Sequence, residues 1–168
     1  MKQLNNTAIK ILGIDPGTAT LGWGIILKIG SRIQPVNYGT IETSPKDEMP
    51  KRLFKIFTEL CDIIEEEKPD CAAIEELFFC KNQKTVIPVA QARGAAIIAC
   101  ETLQIPVAEY TPLQIKQALT GYGRAEKKQI QEMVKIICKL KECPKPDDAA
   151  DALAIAICHS QTNLRLKS

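Results

Sequence analysis

Ile9-Lys10-Ile11-Leu12-Gly13-Ile14-Asp15-Pro16-Gly17 is an apolar run that stops at one carboxylate and a Pro-Gly turn. Ile9, Ile11, Leu12 and Ile14 are aliphatic and mostly β-branched. That is the pattern of a strand with little exposed polar surface, which belongs at the centre of a sheet. Pro16 stiffens the exit and Gly17 lets the backbone turn away tightly, so Asp15 is held in a fixed direction on the sheet's rim. Taken alone, Asp15 reads equally well as a turn cap and as a functional group. An acid at the end of a central strand is costly unless something cationic meets it, so the rest of the chain has to decide.

Working outward, Leu21–Ile29 reads as a second strand in which Gly22 and Gly24, beside Trp23, leave room for another backbone or a ligand. Gly30-Ser31 is a hairpin turn and Arg32–Ile41 the returning strand, so three antiparallel strands open the fold. Leu53, Phe57, Leu60 and Ile64 recur at helical spacing within Pro50–Glu67, and Pro69 ends that helix. Cys71–Ile74 is then a strand crossing back beside the first, and it ends at Glu75. If the two strands are parallel, Asp15 and Glu75 share one rim, where open α/β sheets place their sites. Thr85–Leu103 reads as an Ala-rich helix, Pro106–Tyr110 as a strand, and Pro112–Leu119 and Ala125–Leu140 as helices around Gly121-Tyr122-Gly123. Pro88 is tolerated only in a first helical turn, so that Ala-rich helix is expected to begin late.

The last helix, about Asp147–His159, carries Ala149, Ala150, Ala152, Ala154 and Ala156, small residues that let it lie close to a sheet. Asp148 and Asp151 are three apart and project from one face of its first turn, near the positive end of the helix dipole. Asp147 reads as a helix cap, and His159 as a surface or dipole-pairing residue at the far end. The fold class is therefore α/β, a mixed five-stranded sheet flanked by helices, with residues 1–160 as one domain and 161–168 as a basic, frayed tail.

At 168 residues, 45% hydrophobic and 25% charged, the chain suits a single globular domain. No apolar run approaches the ~20 residues that span a bilayer, and Met1–Asn6 has no signal core, so the expected location is the cytosol. The seven cysteines are an odd number set mostly in apolar segments, and read as buried reduced thiols. Without a Cys-x-x-Cys pair, and with one His, they do not make a zinc site. Net charge is only +2, but Tyr110–Lys145 holds eight Lys or Arg against three Glu, consistent with an anionic ligand on one face.

Four converging carboxylates, Asp15, Glu75, Asp148 and Asp151, would repel one another into protonation unless cations sat between them. Hard divalent ions are the natural answer, since Mg²⁺ takes oxygen ligands and keeps waters that can become nucleophiles. Two such ions about 4 Å apart can flank a phosphodiester, which points to metal-assisted hydrolysis.

Gly13-Ile14-Asp15-Pro16-Gly17, Ile74-Glu75, Phe78, Lys81-Asn82, Gln91-Ala92-Arg93-Gly94 and Asp148-Ala149-Ala150-Asp151-Ala152-Leu153-Ala154-Ile155-Ala156 together closely resemble the RuvC family of Holliday junction resolvases, in order and over nearly the whole chain. The resemblance implies a ribonuclease H-like fold, a homodimer, and paired symmetric nicking of four-way junction DNA in recombination and repair, leaving 5′-phosphate and 3′-hydroxyl ends. It implies two Mg²⁺ ions per site, replaceable by Mn²⁺, held by Asp15, Glu75, Asp148 and Asp151. It further implies Lys116 and Lys127 near the scissile phosphate, Phe78 stacking on bases at the junction centre, and a branch-migration complex of RuvA- and RuvB-type proteins as partner. Arg93 is read equally as a phosphate contact and as the partner of an acid, and Arg124 as a further DNA contact. Asp147, beside Asp148, is a departure that leaves the acid assignment ambiguous by one residue.

Three other functions compete. A phosphotransferase of the actin and sugar-kinase kind shares a Gly-Ile-Asp-x-Gly turn, but needs two such domains. A non-catalytic junction binder would not be expected to keep all four acids. A ribonuclease acting on RNA–DNA hybrids shares the carboxylate chemistry, and only its substrate separates it.

Overall fold

The computed structural model describes residues 7–77 and 83–162. Within these residues five strands, β1 (Ala8–Asp15), β2 (Thr20–Ile29), β3 (Arg32–Glu42), β4 (Cys71–Glu75) and β5 (Val107–Tyr110), form one sheet in the order β3-β2-β1-β4-β5. β1 pairs antiparallel with β2, and β2 with β3, while β1–β4 and β4–β5 are parallel. The expected mixed sheet is present, with β1 at its centre.

Among the described residues, five helices cover it: α1 (Met49–Glu67), α2 (Gln83–Thr102), α3 (Pro112–Thr120), α4 (Lys127–Ile137) and α5 (Asp147–Gln161). Alternation along β1 sorts them into two layers. Ile11 faces a core built with Ile115, Ile130, Val134 and the α5 residues from Leu153 to Cys158, whereas Leu12 and Ile14 face one built with Ile56, Leu60, Ala92, Ala96 and Ala99. α3, α4 and α5 therefore lie on one face, and α1 and α2 on the other. α5 is buried on nearly every side from Ala152 to Ser160 because it is sandwiched between the sheet and the α3–α4 pair.

Three expectations need correction. Pro88 does not delay its helix: α2 starts at Gln83 and carries Pro88 in its second turn, giving up the one amide bond that Pro lacks. α4 is shorter at both ends than Ala125–Leu140; Lys139 takes a left-handed φ of 53°, which ends it. His159 is not a surface residue. It is 8% exposed and its Nδ1 is 2.7 Å from the Tyr110 hydroxyl. α5 extends to Gln161, and Thr162 donates to the His159 carbonyl at 2.7 Å; the expected tail from 163 to 168 lies outside the described residues. Among the described residues no helix is long and apolar enough to cross a membrane.

Candidate active site

Asp15 ends β1 and Glu75 ends β4. Since the strands are parallel with Ile14 opposite Ile74, the two acids leave the sheet side by side on one rim. Both lie two residues beyond positions that face α5, Gly13 and Ala73, so both side chains emerge on the α5 face.

The helix that supplies the other acids is seated by glycines. A Cβ on Gly13 would stand 2.0 Å from the Ala152 carbonyl oxygen, and one on Gly22, the register partner of Asp15, 2.1 Å from that of Asp148. Neither strand position has room for a side chain, so the first turns of α5 rest directly on β1 and β2. Asp148 is thereby set beside the Asp15 end of the sheet, and Asp151 follows one turn later on the same helical face. The close approach that Gly22 signals in the sequence is that of the α5 backbone.

α3 and α4 close the other side. Asp15, Glu75, Asp151, Lys116 and Lys127 line a single open cleft of about 210 Å³, walled by Pro112, Ile115, Ile130, Ala154 and Ile155. The apolar wall residues have a sequence signal in retrospect: Ile115 adjoins Lys116, and Ile130 lies one turn after Lys127.

This wall has an electrostatic effect. Burial first, and then the charges of Asp151, Glu75 and Asp148, push the Asp15 carboxyl up to about 8. Burial and Asp151 also raise Glu75, which Lys116 partly offsets. Asp151 is raised by burial, against the pull of its hydrogen bond from Lys127. The Lys127 ammonium lies 2.8 Å from Asp151 Oδ2 and 3.7 Å from Asp147 Oδ2, and the bond to Asp151 raises its own pKa. Asp147 makes no side-chain cap bond; the N-cap of α5 is Pro146.

The remaining expected residues are distributed differently. Arg93, on α2, reaches the opposite face of the sheet: its Nε donates to the Glu75 carbonyl at 3.1 Å and its Nη2 pairs with Glu109. It thus ties the end of β4 to β5. Arg124 is exposed on the loop between α3 and α4. Phe78, Phe79, Lys81 and Asn82 lie outside the described residues.

The donor set fits hard divalent cations. It is all carboxylate oxygen, and each acid raises Asp15 in a way that a cation would reverse. Among the described residues no three such side chains stand gathered as a finished ligand sphere, and Lys127 meets Asp151 instead.

Sheet order, the acids ending β1 and β4, and a second pair of acids opening the last helix define a ribonuclease H-like domain with a carboxylate centre. The family model for Crossover junction endodeoxyribonuclease RuvC matches residues 11–159. A crossover junction endodeoxyribonuclease RuvC of Desulforamulus reducens is 58% identical over 151 residues, spanning 90% of this chain and 93% of that one. One from Syntrophomonas wolfei is 56% identical, spanning 90% and 88%. The structure of Thermus thermophilus RuvC in complex with a Holliday junction substrate matches with a TM-score of 0.85 at 35% identity, covering 90% of this chain and 93% of that one. The chain belongs to the RuvC family.

Proposed function

We propose that this protein resolves four-way DNA junctions by paired symmetric nicks, through two-metal-ion phosphodiester hydrolysis, in homologous recombination and DNA repair. The observation that carries the reading is Asp15: a carboxyl pushed to about 8 by burial and then by three other acids, in an open cleft flanked by two lysines, in a chain of this family. Asp15, Glu75, Asp148 and Asp151 would hold two Mg²⁺ ions, or Mn²⁺. When bound, such ions supply an activated water and neutralise charge on the leaving oxygen.

The chain's own residues do the rest. The Asp15 and Glu75 carboxylates start from a rigid sheet rim, and α5 is pinned against that sheet, so the four acids keep fixed relative positions. Lys116 and Lys127, on the facing helices, present ammonium groups toward the same cleft, where they oppose negative charge building on the phosphoryl oxygens. Ile115, Ile130 and Ile155 exclude water from one wall and strengthen these interactions. Arg93 holds the Glu75 carbonyl and so steadies the end of β4 from behind. Phe78, two residues after the Glu76 amide that bonds to the Tyr110 carbonyl, would stack on bases at the junction centre, with Arg124 as an outlying phosphate contact.

A symmetric junction suits a two-fold homodimer. The outer face of α2 supports this: Ile87 and Ile98 are 67% and 57% exposed, and Gly94 between them has open space where a Cβ would be. All three fall on one stripe of the helix, where a second copy can approach closely. DNA of this kind places the work in the cytoplasm, with RuvA- and RuvB-type branch-migration proteins as partners.

The test is cleavage of a synthetic four-way junction in Mg²⁺ and in Ca²⁺, against duplex, single-stranded and RNA–DNA hybrid controls, by wild type and Asp15→Asn. Nicks on the junction alone, lost in the variant while junction binding persists, support the proposal. Cutting of the hybrid moves the protein to the ribonuclease side of the fold, and binding without cleavage in Mg²⁺ or Mn²⁺ makes it a non-catalytic module.

A further inference from the structure

Lys127 is the first residue of α4, and its backbone is fixed. The preceding amide, Glu126 N, donates to Gln129 Oε1 at 2.8 Å, closing the helix start. Only the side chain is free to move. Its ammonium rests 2.8 Å from Asp151 Oδ2 and 3.7 Å from Asp147 Oδ2, the two carboxylates lying one turn apart on the same face of α5. The two acids differ in setting. Asp151 is 28% exposed and lines the cleft, whereas Asp147 is 61% exposed and does not.

Resting on the metal reading above, we infer that Asp147 is a positioning residue, the alternate partner that takes Lys127 when Asp151 receives a cation. An ammonium and a divalent ion cannot share one carboxylate without repulsion, so Lys127 has to leave Asp151 as the site loads. With no second acceptor its flexible four-carbon stem would carry the charge into solvent. Asp147 already stands within an ion-pair distance on the solvent side. The lysine therefore exchanges one carboxylate for the other and stays at the cleft mouth, where a phosphate arrives. Capping does not account for Asp147, since α5 starts from Pro146 with no side-chain cap bond.

The experiment is a double-mutant cycle on Mn²⁺ binding by the DNA-free protein at about 0.15 M salt, where exposed charges act only over ~8 Å. Free Mn²⁺ is read by its paramagnetic resonance signal for wild type, Asp147→Asn, Lys127→Met and the double variant. Lys127→Met alone should bind Mn²⁺ more tightly, because the competing cation is gone. Asp147→Asn should weaken binding by about two- to fivefold, the range open to an exposed pair, since Lys127 then stays on Asp151. In the Lys127→Met background that loss should vanish, and Asp147→Glu should restore wild-type affinity. An equal loss in both backgrounds makes Asp147 a plain surface charge and overturns the inference, as does no loss at all. Absence of any Asp15-dependent Mn²⁺ binding in the wild type would bring down the metal reading itself, and the inference with it.

Discussion

Replacing Asp15 by Asn should make the metal-free protein more stable, and increasingly so as pH rises. In the folded chain the Asp15 carboxyl keeps its proton up to about 8, against 3.8 for an ordinary Asp. Between those values the folded state binds the extra proton, so wild-type stability falls as pH rises through this window. About 4 pKa units at 1.36 kcal/mol each set a ceiling of about 5.5 kcal/mol. The cleft is open to water and its side chains can relax, so about 2 kcal/mol is the expected realised share. Asn cannot ionise and removes the slope. Urea unfolding in a chelator, from about pH 5 to about pH 8, should show the two proteins converging in acid and Asp15→Asn ahead by about 2 kcal/mol at the alkaline end. His159, whose pKa is lowered by burial and then by Lys28, contributes the opposite slope in both proteins and cancels in the difference. Mn²⁺ should reverse the order, stabilising wild type and not the variant. A difference that stays flat with pH would refute the idea that Asp15 is held in a desolvated cluster of like charges.

Gly13→Ala would put a methyl 2.0 Å from the Ala152 carbonyl and 2.7 Å from the Ala156 amide nitrogen, forcing α5 off the sheet. The expected cost is about 3 kcal/mol in denaturant unfolding, with loss of Mn²⁺ binding because Asp148 and Asp151 move with the helix. Tyr110→Phe leaves His159 Nδ1 without its 2.7 Å partner and should cost about 1–2 kcal/mol by the same assay. Because the His159 pKa is depressed, that histidine's own contribution is present above about pH 6.5 and is lost as pH falls below it, so His159→Asn should flatten the acid limb. If α2 forms the proposed homodimer face, Ile98→Asp should yield monomer where wild type sediments as a dimer in analytical ultracentrifugation, while leaving the melting temperature within a few degrees.

Local patterns made most of the architecture readable in advance. Ile9–Ile14 and Cys71–Ile74 announce central strands because burial on both faces demands unbroken apolar runs, and the acids that end them mark the rim. Asp148 and Asp151 share a face by helical spacing alone. What escaped the sequence depends on distant partners. His159 is buried because Tyr110, forty-nine residues earlier, offers its hydroxyl, and a lone His in an Ala-rich helix gives no sign of that. The sequence offers Arg93 a phosphate and an acid alike; the Glu75 carbonyl and the Glu109 carboxylate that hold it come from adjacent strands, a juxtaposition set by sheet order. Asp147 resembles every other acid at a helix start until Lys127 is placed beside it by α4. Pro88 departs from local expectation because propensity disfavours an interior proline, yet α2 runs through it and packs on α1.

The central claim, coordinated cutting of a symmetric junction, is tested most directly on a supercoiled plasmid that extrudes a cruciform. In Mg²⁺ the protein should linearise it by two nicks placed symmetrically across the junction within one binding event, each end carrying a 5′-phosphate. Accumulation of singly nicked circles, or linear products whose cuts fall away from the cruciform, would contradict the account.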